Sequence, residues 1–394
     1  MYPSVQVKPG KENNLIFRHP WVFSGALQRR PEGLANGEVV QVLDVNGVVR
    51  GVGIYSEHSQ ITVRVLEFGP AAINADWFRQ RFAAADSPRR LLGLGPDTAT
   101  TGYRLIFGEA DGIPGLVVDR YADVFVIQSS VAGIDRLKTD IVTALTDLFQ
   151  PRAIVERSDL PARREEEIDQ TTGMLHGSLD APVAFTEFGV KFEADIIAGQ
   201  KTGFYLDQRD LRQAVRTLAQ GREVLNLFSN SGSFSIVALL GGATKALNID
   251  SSHSALEQCF RFAELNGLDR SAISDSCIDV FDWLTERQPP SYDLIILDPP
   301  ALIKAQNDTE AGKKAYHFLN RAAIRLLRPG GILVTSSCSA FFREDDFLFM
   351  LRRAAVQAER RLEILRYVPQ SPDHPWSVYF PESKYLKSFI ALVP

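Results

Sequence analysis

Cysteine is scarce in this sequence, with three residues among 394 and none spaced as Cys-x-x-Cys. The scarcity excludes a disulfide framework and a zinc site built on cysteine pairs, and we predict no bound metal. No apolar run approaches the length of a membrane span, and the N-terminus lacks a charged-then-apolar signal segment, so we expect a cytoplasmic protein without a membrane partner. The net charge of −5 excludes a polycation that coats nucleic acid, so any RNA must be held by a local basic surface.

The chain is too long for a single hydrophobic core, and its patterns divide it into three predicted domains. Residues 1–69 alternate short apolar runs with Gly turns, which is typical of a small β-barrel. Residues 70–195 mix helical and strand patterns and predict a middle α+β domain. From 196 to 394 strands alternate with helices, which favours a mainly parallel sheet. The predicted fold class is therefore α/β, with a Rossmann-like C-terminal domain behind two smaller domains.

Two short stretches outside the predicted Rossmann-like domain carry charge. Arg18, His19 and Trp21 form a basic and aromatic patch. In one interpretation these residues contact an RNA backbone and stack on a base. In the other interpretation, which the residues alone favour, Trp21 packs beneath the barrel. The acid-rich stretch 165–167, beside Arg163 and Arg164, is most simply a solvated surface segment.

One stretch of the C-terminal domain has the pattern of a nucleoside site. Residues 224–227 read as a buried strand, a turn of small polar residues follows at 229–233, and helical character comes next. A second apolar strand, 246–250, ends on Asp250. Doubly wound folds bind a ribose with this arrangement: a strand, a turn of small residues, a helix, and an acid at the end of the next strand about twenty residues later. The turn has only Gly232 in place of three glycines facing a pyrophosphate, so S-adenosylmethionine fits better than a dinucleotide.

Further polar side chains follow neighbouring predicted strands, where a parallel sheet binds its ligand. Asp250 can accept both ribose hydroxyls, because an ionised carboxylate is a bidentate acceptor. Asp279 can accept from an adenine amino group, with Val280 against the ring. Asp298, stiffened by the two prolines after it, can face an acceptor base, although capping of a helix is the alternative. Cys338 ends a fifth strand.

Cys338 points to carbon-5 methylation of a pyrimidine. A thiolate that adds to carbon-6 makes carbon-5 nucleophilic enough to attack a sulfonium methyl group. A buried, inert thiol is the alternative. Cys259, on the apolar side of a helix, and Cys277, inside a strand, are expected to be packed thiols.

Several motifs carry a resemblance to a known family: Phe204-Tyr-Leu-Asp-Gln-Arg209, Leu225-Asn-Leu-Phe-Ser-Asn-Ser-Gly232, Leu297-Asp-Pro-Pro300 and Ser337-Cys-Ser339. With them the chain resembles the class I S-adenosylmethionine-dependent ribosomal RNA large subunit methyltransferase I family, which carries a PUA domain and makes 5-methylcytosine in 23S RNA. The likeness runs nearly end to end, from His19-Pro-Trp-Val-Phe-Ser-Gly25 in the PUA domain to Asp373-His-Pro375.

The resemblance implies S-adenosylmethionine as cofactor, ribosomal RNA as partner, Cys338 as nucleophile and Asp298 as the residue that holds the cytosine edge; a homodimer is left open. It also shifts the weight on residues 1–69 toward RNA contact, with Arg18, Arg29 and Arg30 as candidates and solvated arginines as the alternative. The predicted cofactor contacts, from the turn, the strand ends and this resemblance, are Tyr205, Asp207, Gln208, Arg209, Phe228, Ser229, Ser231, Gly232, Ser233, Phe234, Asp250, Ser251, Asp279, Val280 and Asp298.

The sequence departs from the family pattern after its Asp-Pro-Pro motif. The family commonly has Lys-Phe there, and this chain has Ala301-Leu302, with Lys304 as a candidate replacement for the charge. Four other functions stay open: uracil carbon-5 methylation, amino-group methylation, a non-catalytic RNA-binding or ribosome-assembly factor, and a nicotinamide dehydrogenase. The missing glycines disfavour the last.

Overall fold

The computed structural model of the protein describes residues 2–29, 32–197, 199, 201–286 and 289–394. The chain forms two compact units, each assembled from several stretches of sequence. Unit 1 consists of Met1–Gly189, Glu193–Leu206 and Pro372–Ser383; unit 2 consists of Val190–Phe192, Asp207–Ser371 and Lys384–Pro394. Within the described ranges, no helix has both the length and the apolar character that crossing a membrane requires.

Unit 1 begins with a sheet of five described strands in the order β1-β3-β4-β5-β2. Alternating burial along β3 places Val40 and Val42 inside, where they pack in one cluster with Val22 and Val63. This is the β-module that the alternating apolar runs predict. Its elements are β1 (Ser4–Gln6), α1 (Asn13–Ile16), β2 (Trp21–Phe23), β3 (Val39–Leu43), β4 (Val49–Tyr55) and β5 (Ile61–Glu67).

A second sheet of unit 1 has the order β10-β9-β8-β7-β6 over the described residues. The apolar residues that recur at helical spacing from Ile134 to Leu148 lie in two helices that meet at Leu137. The elements are α2 (Ala75–Leu91), β6 (Gly102–Phe107), β7 (Leu116–Tyr121), β8 (Val124–Ser129), α3 (Ala132–Arg136), α4 (Lys138–Phe149), β9 (Ala153–Ser158) and β10 (Thr171–Gly177). Two further strands, β11 (Val183–Glu187) and β12 (Val190–Ala194), follow along the chain.

The two sheets of unit 1 share one hydrophobic core. Val52 and Ile54 of β4 belong to the same buried cluster as Phe78 and Phe82 of α2. The predicted boundary at residue 69 therefore runs through continuous packing, and the division into 1–69, 70–195 and 196–394 stays a prediction.

The acid-rich stretch 165–167 is only partly solvated, so that prediction was wrong for Glu166, which is buried, as is the neighbouring Arg163. The Glu166 carboxylate accepts hydrogen bonds from Arg64 at 2.8 Å and from the Ser56 hydroxyl at 2.9 Å. Arg163 pairs with Asp135 at 2.7 Å. A charge pays its desolvation cost only with a well-placed partner, and these partners are distant in sequence, so a count of charged letters does not reveal them.

A segment from near the C-terminus, Pro372–Ser383, completes unit 1. The buried Asp373 carboxylate accepts a hydrogen bond from the main-chain N–H of Arg104 at 2.8 Å. The main-chain carbonyl of Asp373 accepts a second one from the Arg89 guanidinium at 2.9 Å. Arg89 also forms a bidentate ion pair with Asp111. The segment is thus held by buried polar contacts.

Unit 2 is built on a sheet of seven described strands in the order β15-β14-β13-β16-β17-β19-β18. The strands from β15 to β17 run parallel, and β19 is antiparallel to both β17 and β18. The strands are β13 (Glu223–Leu227), β14 (Lys245–Asp250), β15 (Ile273–Cys277), β16 (Tyr292–Leu297), β17 (Leu327–Ser337), β18 (Glu363–Pro369) and β19 (Lys387–Val393). The helices are α5 (Arg209–Leu218), α6 (Ser233–Leu240), α7 (His253–Leu265), α8 (Val280–Trp283), α9 (Thr309–Leu326) and α10 (Glu344–Gln357).

This strand order confirms the predicted Rossmann-like domain and locates its ligand crevice. The chain leaves β13 toward β14 and β15 on one side and resumes at β16 on the other. Strand order reverses there, and open parallel sheets bind ligands beyond the carboxyl ends of the strands at such a point.

Candidate active site

The register of unit 2 brings several of the predicted site residues to one edge of the sheet. Four residues are aligned across β14, β13, β16 and β17: Ile249, Leu227, Leu297 and Thr335. Asp250, Phe228 and Asp298 directly follow the first three, and Cys338 comes three positions after the last. Neighbouring strands lie about 4.8 Å apart, so β13 and β17 are separated by about 10 Å in the plane of the sheet.

The turn after β13 is held tightly against the end of β14. Phe228, Asn230 and Gly232 all have positive φ, of 57°, 48° and 67°. The Asn230 N–H donates to Oδ2 of Asp250 at 2.8 Å, and Oδ1 of Asp250 accepts the Ser252 N–H at 2.9 Å. Each carboxylate oxygen keeps a further lone pair. Asp250 therefore shapes the turn and can still accept bonds from a ligand.

Small side chains of the turn leave buried polar capacity for a ligand. Ser229, Ser231 and Ser233 are buried, and the Ser229 hydroxyl has no hydrogen-bond partner among the described residues. A buried hydroxyl without a partner costs stability unless a bound molecule satisfies it. Phe234, also buried, starts α6 together with Ser233, with the Arg212 guanidinium 5.9 Å from its ring.

Gly232 is required by two independent features. Its φ of 67° disfavours a side chain, and a Cβ there would lie 2.3 Å from Sγ of Cys259. Cys259 is buried, as predicted, and burial raises its pKa to about 12, so it stays a neutral thiol at physiological pH. The turn thus packs directly against α7.

Cys277 is exposed, which contradicts the prediction of a packed thiol. It ends β15, an edge strand of the sheet, and an edge strand is covered on fewer sides than a central one. The Cys277 thiol lies 3.5 Å from the carbonyl oxygen of the exposed Ser251.

Asp279 caps a short helix beside Asp250. Its Oδ1 accepts the N–H groups of Phe281 at 2.7 Å and Asp282 at 3.3 Å, while Val280 is buried. The Ile278 N–H, next to it, donates to the main-chain oxygen of Asp250 at 3.0 Å. Asp279 is exposed and therefore accessible, and its contact with adenine stays a prediction.

Asp298 has a partner from the segment that precedes α5. The Gln208 side-chain amide donates to Oδ2 of Asp298 at 2.7 Å. The neighbouring Asp207 accepts the hydroxyl of Tyr385 at 2.6 Å, and Arg209 is buried. Tyr205 belongs to unit 1, where the Lys201 ammonium lies 4.0 Å from the centre of its ring.

Cys338 is partly exposed, between two buried serines. The Tyr316 hydroxyl accepts from Ser337 at 2.9 Å and lies 3.0 Å from the Ser339 hydroxyl. Burial raises the pKa of Tyr316, so it remains a neutral hydrogen-bonding group. The Lys387 ammonium donates to the main-chain oxygen of Ser339 at 3.0 Å.

Sequence reasoning missed Tyr316 and Lys387 as site residues. Tyr316 lies within α9 and carries no local signal. Lys387 stands at the start of a strand whose alignment with β17 only the folded sheet reveals. The loop that departs from the family pattern is tied to the same place, because the Ile303 N–H donates to the Ser339 hydroxyl at 3.2 Å while Lys304 is exposed.

Comparisons with known proteins agree with this architecture. Residues 160–378 match the family described as S-adenosylmethionine-dependent methyltransferase, and residues 5–68 match the PUA-like domain family. The chain is 40% identical over 388 residues to a ribosomal RNA large subunit methyltransferase I of Serratia proteamaculans, with 98% of each chain covered. It is 39% identical over 394 residues to that of Shewanella denitrificans, with 99% of each covered. A crystal structure of a protein assigned as a methyltransferase, complexed with SAH, shares the fold with a TM-score of 0.85, 23% identity and coverage of 99% of this chain and 100% of that one.

Proposed function

The chain belongs to the ribosomal RNA large subunit methyltransferase I family of S-adenosylmethionine-dependent methyltransferases, and we propose that it methylates carbon-5 of a cytosine in 23S ribosomal RNA through a covalent adduct with Cys338. The observation that carries the proposal is the position of Cys338. Cys338 is partly exposed just beyond the carboxyl end of β17, two strands from the turn at Phe228 and next to the strand that Asp298 follows.

The turn and the strand ends hold the cofactor in this proposal. S-adenosylmethionine supplies a methyl group activated by its sulfonium charge. Asp250 accepts the ribose hydroxyls with the lone pairs that Asn230 and Ser252 leave free, and the unsatisfied Ser229 hydroxyl supplies a further polar contact. Asp279 accepts from the adenine amino group. Two observations support the fit of these residues to S-adenosylmethionine: the Ser229 hydroxyl without a partner among the described residues and the closely packed turn.

Cys338 and Asp298 act on the base. The Cys338 thiolate adds to carbon-6 of the cytosine, so electron density moves to carbon-5, which forms a bond to the methyl carbon as that carbon leaves sulfur. A base then removes the carbon-5 proton, and the electron pair expels the thiolate, which restores both the ring and the enzyme. Asp298 accepts from the exocyclic amino group of cytosine, the usual donor for a carboxylate, while Gln208 fixes its orientation.

The PUA-like domain fixes the register of the structured RNA while unit 2 takes an extruded base. Arg18 and Arg29 are exposed and available to phosphates. Trp21 is half-buried and its indole N–H donates to Glu109 at 2.9 Å, which favours packing over stacking on RNA. Arg30, the third candidate, lies outside the described residues. The enzyme acts in the cytoplasm, where ribosomes are made, and dimerisation stays an open proposal.

Mass spectrometry of 23S RNA from cells that lack the protein tests the proposal. We expect one cytosine to lose a carbon-5 methyl group. The wild-type chain and Cys277→Ala, a control at an exposed thiol, should restore it, whereas Cys338→Ala should not. Loss of a methyl group from a uracil instead would show that the acceptor base is uracil. Restoration by Cys338→Ala would remove the covalent mechanism. RNA with every methyl group intact but defective ribosome assembly would favour the non-catalytic factor, for which Ala301 is the best support.

A further inference from the structure

Lys387 is a buried cation that the proposed chemistry leaves without a role. It is the first residue of β19 and is aligned with Ser337, the last residue of β17. Only 7% of it is exposed, yet over the described residues no carboxylate lies within ion-pair distance of its ammonium. Burying a charge without a counter-ion is costly, so the position calls for a compensating partner.

Two main-chain carbonyls hold the ammonium in place. Nζ of Lys387 donates to the oxygen of Ser339 at 3.0 Å and to the oxygen of Tyr385 at 2.8 Å. An ammonium has three donors, so one remains after these two bonds. Ser339 directly follows Cys338, and the cation is therefore anchored one residue from the thiol.

The remaining charges near this group do not offset the cation. Lys384 pairs with Glu344 at 3.1 Å, so these two largely cancel each other. Tyr316 is held neutral by burial, as its raised pKa shows. Burial lowers the pKa of Lys387, whereas a negative charge on Cys338 acts in the opposite direction and raises it. Because the interaction between two charges is mutual, an ammonium that a thiolate stabilises also stabilises that thiolate.

We propose that Lys387 is a positioning residue whose ammonium, held by the carbonyls of Ser339 and Tyr385, keeps Cys338 ready as a thiolate. The thiol proton passes to solvent, and the net negative charge on sulfur is balanced by the fixed cation. The inference rests on the proposed role of Cys338 as nucleophile. It also separates the three cysteines: Cys259 is buried and neutral, Cys277 is exposed, and Cys338 directly precedes the residue whose carbonyl anchors the Lys387 ammonium.

Alkylation of the full-length protein by iodoacetamide, followed by peptide mass spectrometry over a range of pH, tests this without methyl transfer. Cys338 should react with a midpoint pH below that of Cys277 in the same molecule. Lys387→Gln keeps amide donors for the carbonyls but removes the charge, so we expect the rate of Cys338 alkylation at pH 7 to fall about tenfold, with a midpoint about one pH unit higher. Lys387→Arg should restore most of the rate.

Two controls accompany these variants. Alkylation of Cys277 should be the same in every variant, and Lys314→Gln, at an exposed lysine on α9, should leave alkylation of Cys338 unchanged. An unchanged Cys338 profile in folded Lys387→Gln would overturn the inference and leave Lys387 a structural clamp. If Lys387→Gln does not fold, Lys387→Met is compared with Lys387→Arg, provided that urea unfolds the two variants at the same midpoint. Equal pH profiles of Cys338 alkylation in these two variants would also overturn the inference. A shifted profile combined with methylation that survives Cys338→Ala would instead overturn the proposed covalent mechanism, while the effect of the Lys387 charge on ionisation of the Cys338 thiol would stand.

Discussion

The side-chain amide of Gln208 donates a 2.7 Å hydrogen bond to Oδ2 of Asp298, across 90 positions of sequence. Asp298 is partly exposed at the end of a buried strand, and this bond orients it without neutralising it. An amide supplies a donor for the carboxylate but no charge, which is compatible with the proposed role of Asp298 as an acceptor for a base.

Replacement of Gln208 by Leu should lower the single-turnover rate of RNA methylation about tenfold, because a hydrogen bond to a charged acceptor contributes about 1.5–3 kcal/mol. The change should leave the fold intact. Gln213→Leu, on the following helix, serves as the control and should have no effect. A normal rate with weakened binding of S-adenosylmethionine would place Gln208 on the cofactor instead.

Gly232→Ala should destabilise unit 2 more than Gly221→Ala. Both glycines have similar positive φ, 67° and 72°, but an added Cβ meets Cys259 only at position 232. We therefore expect a cost of about 1 kcal/mol for the strain at Gly221 and roughly 1–3 kcal/mol more at Gly232, from urea unfolding. Equal costs would mean that the contact with Cys259 contributes nothing.

The buried thiol of Cys259 should make stability fall in alkali. Its pKa is about 12 when folded and near the ordinary 9.0 when unfolded, so the unfolded chain ionises first as pH rises above 9. The contribution is complete below pH 9 and is lost between pH 9 and 12, with a slope of about 1.4 kcal/mol per pH unit. Urea unfolding of the wild type and Cys259→Ala from pH 8 to 10.5 isolates this slope. Parallel curves for the two proteins would rule it out.

Glu166→Ala should be far more harmful than Glu165→Ala. Glu166 is buried against Arg64 and Ser56, and its removal leaves the Arg64 charge uncompensated, at a cost of about 3–5 kcal/mol. Glu165 is exposed, so its removal should change the free energy of unfolding by no more than about 0.5 kcal/mol. Thermal unfolding of both variants measures the difference, and similar melting temperatures would contradict the buried pair.

Patterns that repeat along the chain allowed prediction of the sheet and of the edge that carries the candidate site. Asp250, Asp298 and Cys338 follow apolar strands, and the carboxyl ends of parallel strands meet at one edge, so local sequence was sufficient. Contacts between distant residues were not predictable. The bond from Gln208 to Asp298 and that from Lys387 to Ser339 depend on the register and packing of elements far apart in sequence.

The errors have the same origin. Cys277 was predicted to be packed because it lies in a strand, but only strand order shows that its strand is at an edge. Glu166 was predicted to be solvated because charges cluster around it, but a single arginine from β5 compensates it. Burial is a property of neighbours, and the neighbours were distant.

The segment Pro372–Ser383 delays the completion of unit 1 during protein synthesis. Asp373 lies 269 positions after Arg104, so a nascent chain carries the Arg104 N–H and the Arg89 guanidinium without this partner until residue 373 has been made. The N-terminal part of unit 1 therefore cannot complete these buried contacts as it emerges from the ribosome. They form only after the later segment has also emerged and has folded back onto the residues that were made first.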